Sequence, residues 1–179
     1  MVEEYLQNIK KQFKSYKEVA DKTIIQLSEK DFGWKYNEES NDIACIMIHL
    51  SENMRSRWTD FFESDGEKEW RNRESEFSKQ NLNAIELKEK WELGWKCLFD
   101  ALDSLDENNF DKTILIRNKK VKLIESITRQ IAHYPYHIGQ ITYIGKMILN
   151  EKWKSPSIPK GKSDEYIKKE FERNLKNEP

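Results

Sequence analysis

Near the end of this chain an apolar stripe leaves little choice of local structure. Ile124, Ile127, Ile131, Tyr134, Ile138, Ile141, Ile144 and Ile148 follow one another at steps of 3, 4, 3, 4, 3, 3 and 4. Such spacing keeps one face of an α-helix apolar for about seven turns, and no strand of period two can match it. The stripe stays in phase across Pro135. A proline inside a helix removes the hydrogen bond to the carbonyl four residues earlier, here Ile131, and costs about 3 kcal/mol. The preserved phase predicts one helix from Leu123 to Leu149, with a bend or bulge at the proline. The competing reading starts a fresh helix with Pro135 as its first residue.

Three further segments share this periodicity. Tyr5, Ile9, Phe13, Tyr16, Ala20, Ile24 and Leu27 predict a helix from Val2 to Leu27. Ile43, Met47, Leu50, Met54 and Phe61 predict a second, from Ile43 to about Phe62, capped by Asn41 or Asp42. Leu87, Trp91, Leu98 and Leu102 predict a third, from Ala84 to Leu105. The connection "ESDGEKEWRNRESEFSKQNLN" reads as loop with a turn at Asp65-Gly66. "FDKTILIRNKKVKLI" is a small hairpin around Asn118 or an extended crossover. After Pro156 and Pro159, Tyr166, Ile167 and Phe171 allow a short amphipathic helix. The expected architecture is all-α: one domain over residues 1–179, a four-helix bundle with long crossover connections and a short C-terminal extension.

Composition excludes some functions. Thirty-one basic and thirty-two acidic residues give a net charge of −1, a poor start for binding phosphate backbones, so no nucleic-acid partner is expected. Six Trp, seven Tyr and eight Phe argue for a folded chain despite its high charge. No apolar run is long enough to span a bilayer and no signal-peptide core is present, so a cytoplasmic protein without membrane contact is expected. No glycine-rich phosphate loop occurs. Cys45 and Cys97 read as small buried thiols, though Cys45, one turn before His49, could also approach a metal there.

The three histidines carry what chemistry the sequence shows. His133 and His137, four residues apart, project from one side of a helix, about 6 Å apart along its axis. Gln140 and Ile144 fall in the same sector. The pair lacks the glutamate of a zincin motif. His49 lies in the apolar run "IACIMIHLSENMRSRW", where an unpaired imidazole is costly to bury. Spacing alone leaves two readings open: half-buried polar rings with hydrogen-bond partners, or three ligands to one metal ion.

"DIACIMIHLSENMRSRW", "RQIAHYPYHIGQITYIGKMIL" and "SIPKGKS" resemble the DinB-like superfamily, more narrowly a bacterial subfamily without settled activity. The resemblance covers nearly the whole chain. It implies a four-helix bundle holding a divalent metal, with His49, His133 and His137 as ligands. Zinc or nickel suits three imidazoles, and iron or manganese remains open by ligand type. Some relatives are thiol-dependent S-transferases or isomerases using bacillithiol or mycothiol, which implies a metal-activated low-molecular-weight thiol attacking an electrophile; a metal-dependent hydrolase is the other enzyme reading. The Lys-, Glu-, Asn- and Ile-rich composition suits a low-GC bacterium, and with that the resemblance implies bacillithiol rather than mycothiol.

With all three histidines assigned, no Ser–His–Asp arrangement is left. Asn53 and Gln140 could each orient a ligand or a bound water, or could simply be polar rim. Arg55, Arg57 and Arg129, with Arg71 and Arg73 behind them, are candidates for holding a substrate carboxylate. No residue offers itself as general base. A non-catalytic metal-binding or stress-response bundle therefore stands as an alternative, as does a partner-binding module using Trp58, Trp70 and Trp153. A homodimer is a further expectation.

Overall fold

A computed structural model describes residues 1–78 and 82–176. The described residues are mostly helical: α1 (Val2–Ile24), α2 (Ile43–Trp58), α3 (Arg73–Glu76), α4 (Ala84–Asp103), α5 (Leu123–Leu149) and α6 (Ser163–Lys176). Strands β1 (Thr113–Ile116) and β2 (Lys119–Lys122) form one antiparallel hairpin. Part of the long connection before α4, residues 79–81, lies outside the description.

α2 packs against α4 and α1 against α5, while α2 also touches α5. The apolar stripes meet between them: Phe13, Leu50, Met54, Trp91, Leu98, Ile127, Tyr134 and Ile141 are all buried. Of the α5 stripe, Ile124 departs from expectation and is exposed. Gly145 of α5 sits against the Thr23 side chain of α1, where a Cβ would lie 2.6 Å from Thr23 Cγ2. No helix is long and apolar enough to cross a membrane among the described residues.

α5 runs unbroken through Pro135 with α-helical geometry throughout, so the fresh-start reading fails and no π bulge forms. Packing along the buried stripe offsets the lost hydrogen bond. Three helices stop earlier than their periodicity suggests. α1 tightens into shorter-range bonds, from Gln26 N to Thr23 O and Leu27 N to Ile24 O. α2 ends because Thr59 is extended and Asp60 turns to φ 44°, and Phe61 is buried from beyond the helix. α4 closes at Asp103, where the Ser104 N–H already bonds to Asp100 O and Ala101 O. Asp42, not Asn41, caps α2, its side chain accepting from Cys45 N at 2.8 Å. Trp58, expected on the surface, is a core residue at 2 % exposure. Its indole N–H donates to the Tyr134 hydroxyl.

Of the two readings around Asn118, the hairpin is the one formed. Arg117 and Asn118 both take left-handed φ, 54° and 60°, the conformation of a two-residue hairpin turn. The Asp65 carboxylate accepts from the N–H groups of Arg117 (2.7 Å), Asn118 (2.6 Å) and Glu67 (2.7 Å). The Gly66 N–H donates to Leu115 O at 2.8 Å. The hairpin is thereby fastened to the loop between α2 and α3.

Burial pushes the Asp65 carboxyl up, but these N–H groups outweigh it and hold it below its ordinary 3.8. A carboxyl depressed in the folded state stabilises fully above its unfolded pKa, and that contribution fades as pH falls through the lower, folded value. The urea midpoint of the parent should therefore exceed that of Asp65→Ala at pH 6, and the gap should narrow below about pH 4. A gap that stays constant down to pH 2 would show that ionised Asp65 does not secure the hairpin.

Candidate metal centre

α2 presents His49, and α5 presents His133 and His137 one turn apart. His49 is 4 % exposed, and the other two rings are half-buried. Ring centroids lie 5.4 Å apart for His49–His133, 4.9 Å for His49–His137 and 4.9 Å for His133–His137. One ring nitrogen from each falls within 4.8 Å of the other two. Nε2 of His49 and Nε2 of His133 are 3.4 Å apart.

The outer nitrogen of every ring has its own partner. His49 Nδ1 meets Glu76 Oε2 at 2.8 Å, His133 Nδ1 meets Gln130 Oε1 at 3.2 Å, and His137 Nδ1 meets Gln140 Oε1 at 3.0 Å. A carboxylate and an amide oxygen only accept, so each Nδ1 carries a proton, and in the neutral ring this leaves the lone pair on Nε2. Three such lone pairs close together repel unless a cation lies among them.

Glu76 is 2 % exposed and receives two bonds from Arg71, from Nε at 2.7 Å and Nη2 at 3.0 Å. Burial raises its carboxyl, but the hydrogen bonds from His49 and Arg71, with their charges, hold it below the usual carboxylate range. Burial first, then the charges of His137, His49, Arg129 and Arg71, lowers the His133 imidazole to about 3. Burial also lowers His137, against a smaller opposing effect of its bond to Gln140. Both rings are neutral near pH 7, the form that binds metal.

The residues fit an ion. Two nitrogens 2.0–2.1 Å from zinc at the tetrahedral angle stand about 3.4 Å apart. Each imidazole also has the hydrogen-bonded outer nitrogen typical of ligating histidine. Three protein ligands leave a position for water or substrate, as in catalytic sites.

Gln140 lies behind His137, bonded to its Nδ1. Asn53 does not reach a histidine: it is buried and its Oδ1 accepts from the Tyr134 hydroxyl at 3.2 Å. Cys45 is a buried thiol outside the ligand cluster. Burial, then the Asp42 carboxylate, pushes it up to about 11.

The arginines divide. Arg71 is bound to Glu76, Arg73 sits 3.8 Å from Glu67, and Arg55 pairs with Glu52 while lying over the Trp70 ring. Arg57 is 3 % exposed, and its Nε and Nη1 have no hydrogen-bond partner among the described residues. Arg129 is exposed, one turn before His133.

Sequence reasoning missed Glu76 and Gln130. Gln130 had a signal: "QIAHYPYHIGQ" places one glutamine three residues before the first histidine and another three after the second. Each can turn back along the helix to its own ring. Glu76 had none, because it stands in a four-residue helix inside a polar connection.

Neither the curated proteins nor the solved structures include a match to this chain. A family profile described as "Protein of unknown function (DUF1572)" matches residues 1–162, a span that contains all three histidines and Glu76. The chain therefore belongs to the DUF1572 family.

Proposed function

We propose that His49, His133 and His137 bind one divalent metal ion through Nε2, and that the chain is a metal-dependent enzyme of the thiol S-transferase type. In this reading its four long helices form a DinB-like bundle. The observation that carries the metal site is the set of outer partners, Glu76, Gln130 and Gln140, which turn three Nε2 lone pairs toward one another. Zinc or nickel is the preferred ion, ahead of iron or manganese. Bound there, such an ion would supply Lewis acidity and lower the pKa of a thiol or water.

The chain's own residues have distinct tasks. The two glutamines and Glu76 fix the imidazole tautomers. Arg71 keeps Glu76 ionised in a buried setting. Arg129, exposed beside His133, is assigned to a carboxylate of the thiol cosubstrate, bacillithiol-like in this reading, and an electrophile is the second substrate.

One observation favours a non-catalytic metal site instead. Glu76, the carboxylate bonded to His49, is held by Arg71 as well, which leaves no free general base beside the rings among the described residues.

Protein purified without a metal-affinity tag should carry close to one equivalent of a divalent metal by elemental analysis. His137→Ala should lose it, with affinity reduced more than about a hundredfold, beyond the effect of removing an outer partner. Absence of metal after reconstitution, or equal metal in the variant, would refute the site. Metal that exchanges readily and binds an added thiol supports the enzyme. Metal whose removal unfolds the chain, with no thiol affinity, supports the structural reading.

A further inference from the structure

A cleft of about 400 Å³ lies beside the three-histidine centre, and Phe77 is common to both. The Phe77 ring is 4.9 Å from the His49 ring, centroid to centroid, and also lines the cleft. The remaining lining is mixed, with Phe32, Ala44, Leu82 and Leu87 apolar and Ser40 and Asn41 polar. Phe32 and Leu87 are 5 % and 2 % exposed, so this is packed core surface. The volume falls in the range of small-molecule sites.

The rim has a definite charge. Glu29, Glu38 and Asp42 face one cation, Lys35, and Lys35 is already held by Glu38 at 2.8 Å. Glu29 and Asp42 each accept a backbone N–H through one oxygen, from Ala84 at 3.3 Å and from Cys45 at 2.8 Å. Among the described residues neither forms an ion pair, so two carboxylates stand at the entrance to a cleft whose lining is partly apolar. That combination attracts a cation with an apolar body and repels an anion.

We infer that this cleft binds a small molecule with an aromatic-sized apolar body and a protonated amine, with Phe77 as the wall shared with the histidine centre. Only the placing of the reactive end of the ligand toward the histidines rests on the metal-enzyme reading. Occupancy of the cleft does not.

Dansylcadaverine, a fluorescent naphthyl ring carrying a primary amine, tests this in fluorescence titrations of EDTA-treated protein, with anionic dansylglycine as comparator. The amine should bind at least about tenfold more tightly, the ratio given by 1.4 kcal/mol. Glu29→Gln combined with Asp42→Asn keeps both backbone hydrogen bonds and should erase the preference. Ala44→Trp should fill the cleft and abolish binding, and Phe77→Ala should weaken it.

Failure of both probes to bind, equal or tighter binding of dansylglycine, or unchanged binding in the filled variant overturns the inference. If Ala44→Trp does not fold, the charge-neutral pair decides. Zinc titration of the same sample separates the two claims. Zinc without probe binding removes the cleft and leaves the centre, whereas probe without zinc binding removes the centre and leaves the cleft.

Discussion

Glu76→Ala is expected to lower the stability of the fold by about 3 kcal/mol, the lower end of the cost of breaking a buried ion pair, because Glu67 remains 3.6 Å from Arg71 Nη1. The charge left behind is Arg71, whose side chain is 1 % exposed and whose bonds from Nε and Nη2 both end on Glu76. The same variant frees the His49 ring, and loss of such an outer partner weakens metal affinity about 10- to 100-fold. Urea unfolding of the metal-free protein isolates the first effect, and a competitive chelator titration isolates the second. The double variant Glu76→Ala, Arg71→Met should recover much of the stability without recovering affinity, because it removes the stranded cation and still leaves His49 unheld. A loss below about 1 kcal/mol in the single variant would mean that Arg71 finds water easily and that the pair is peripheral.

Gly94→Ala tests the contact between α2 and α4, and here two effects compete. Alanine is the better helix former by about 1 kcal/mol. Against this, a Cβ at Gly94 would lie 2.7 Å from Ser51 Cα and 3.2 Å from Ser51 O. Those are backbone and near-backbone atoms, so the helices themselves must part. Overpacking of this kind costs typically 1–3 kcal/mol, and the rigid neighbour places Gly94 at the upper end. A net loss is therefore expected despite the gain in propensity. Ser51 follows His49 by two residues, so the displacement should also move that ring and weaken metal binding. An increase in stability would show that α2 and α4 can separate without cost.

How much the sequence disclosed depended on the kind of interaction involved. The long α5 was legible at both ends, Leu123 and Leu149, because its isoleucines register burial along a whole face. His133 and His137 were legible for the same reason, as polar residues at the edge of that face. Trp58 was misplaced because its helix is buried on most sides, which blurs the apolar period that separates core from surface. Asn53 was ambiguous because its position fits either His49 or the Tyr134 hydroxyl, and only packing chooses. Glu76 was invisible. Its partners are one histidine 27 residues earlier and one arginine five residues earlier, and no periodicity encodes a buried ionic contact in a loop.

Asp65 gives the hairpin an unexpected link to the histidines. The amide protons of Arg117, Asn118 and Gly66 all point into the bonds joining the hairpin to the loop before α3. None can exchange with solvent until that joint opens, so the three should exchange at a shared rate in deuterated buffer. The loop continues directly to Arg71 and Glu76, and the hairpin continues directly into α5. If that joint and the Arg71–Glu76 pair open as one unit, Glu76→Ala should speed the shared exchange.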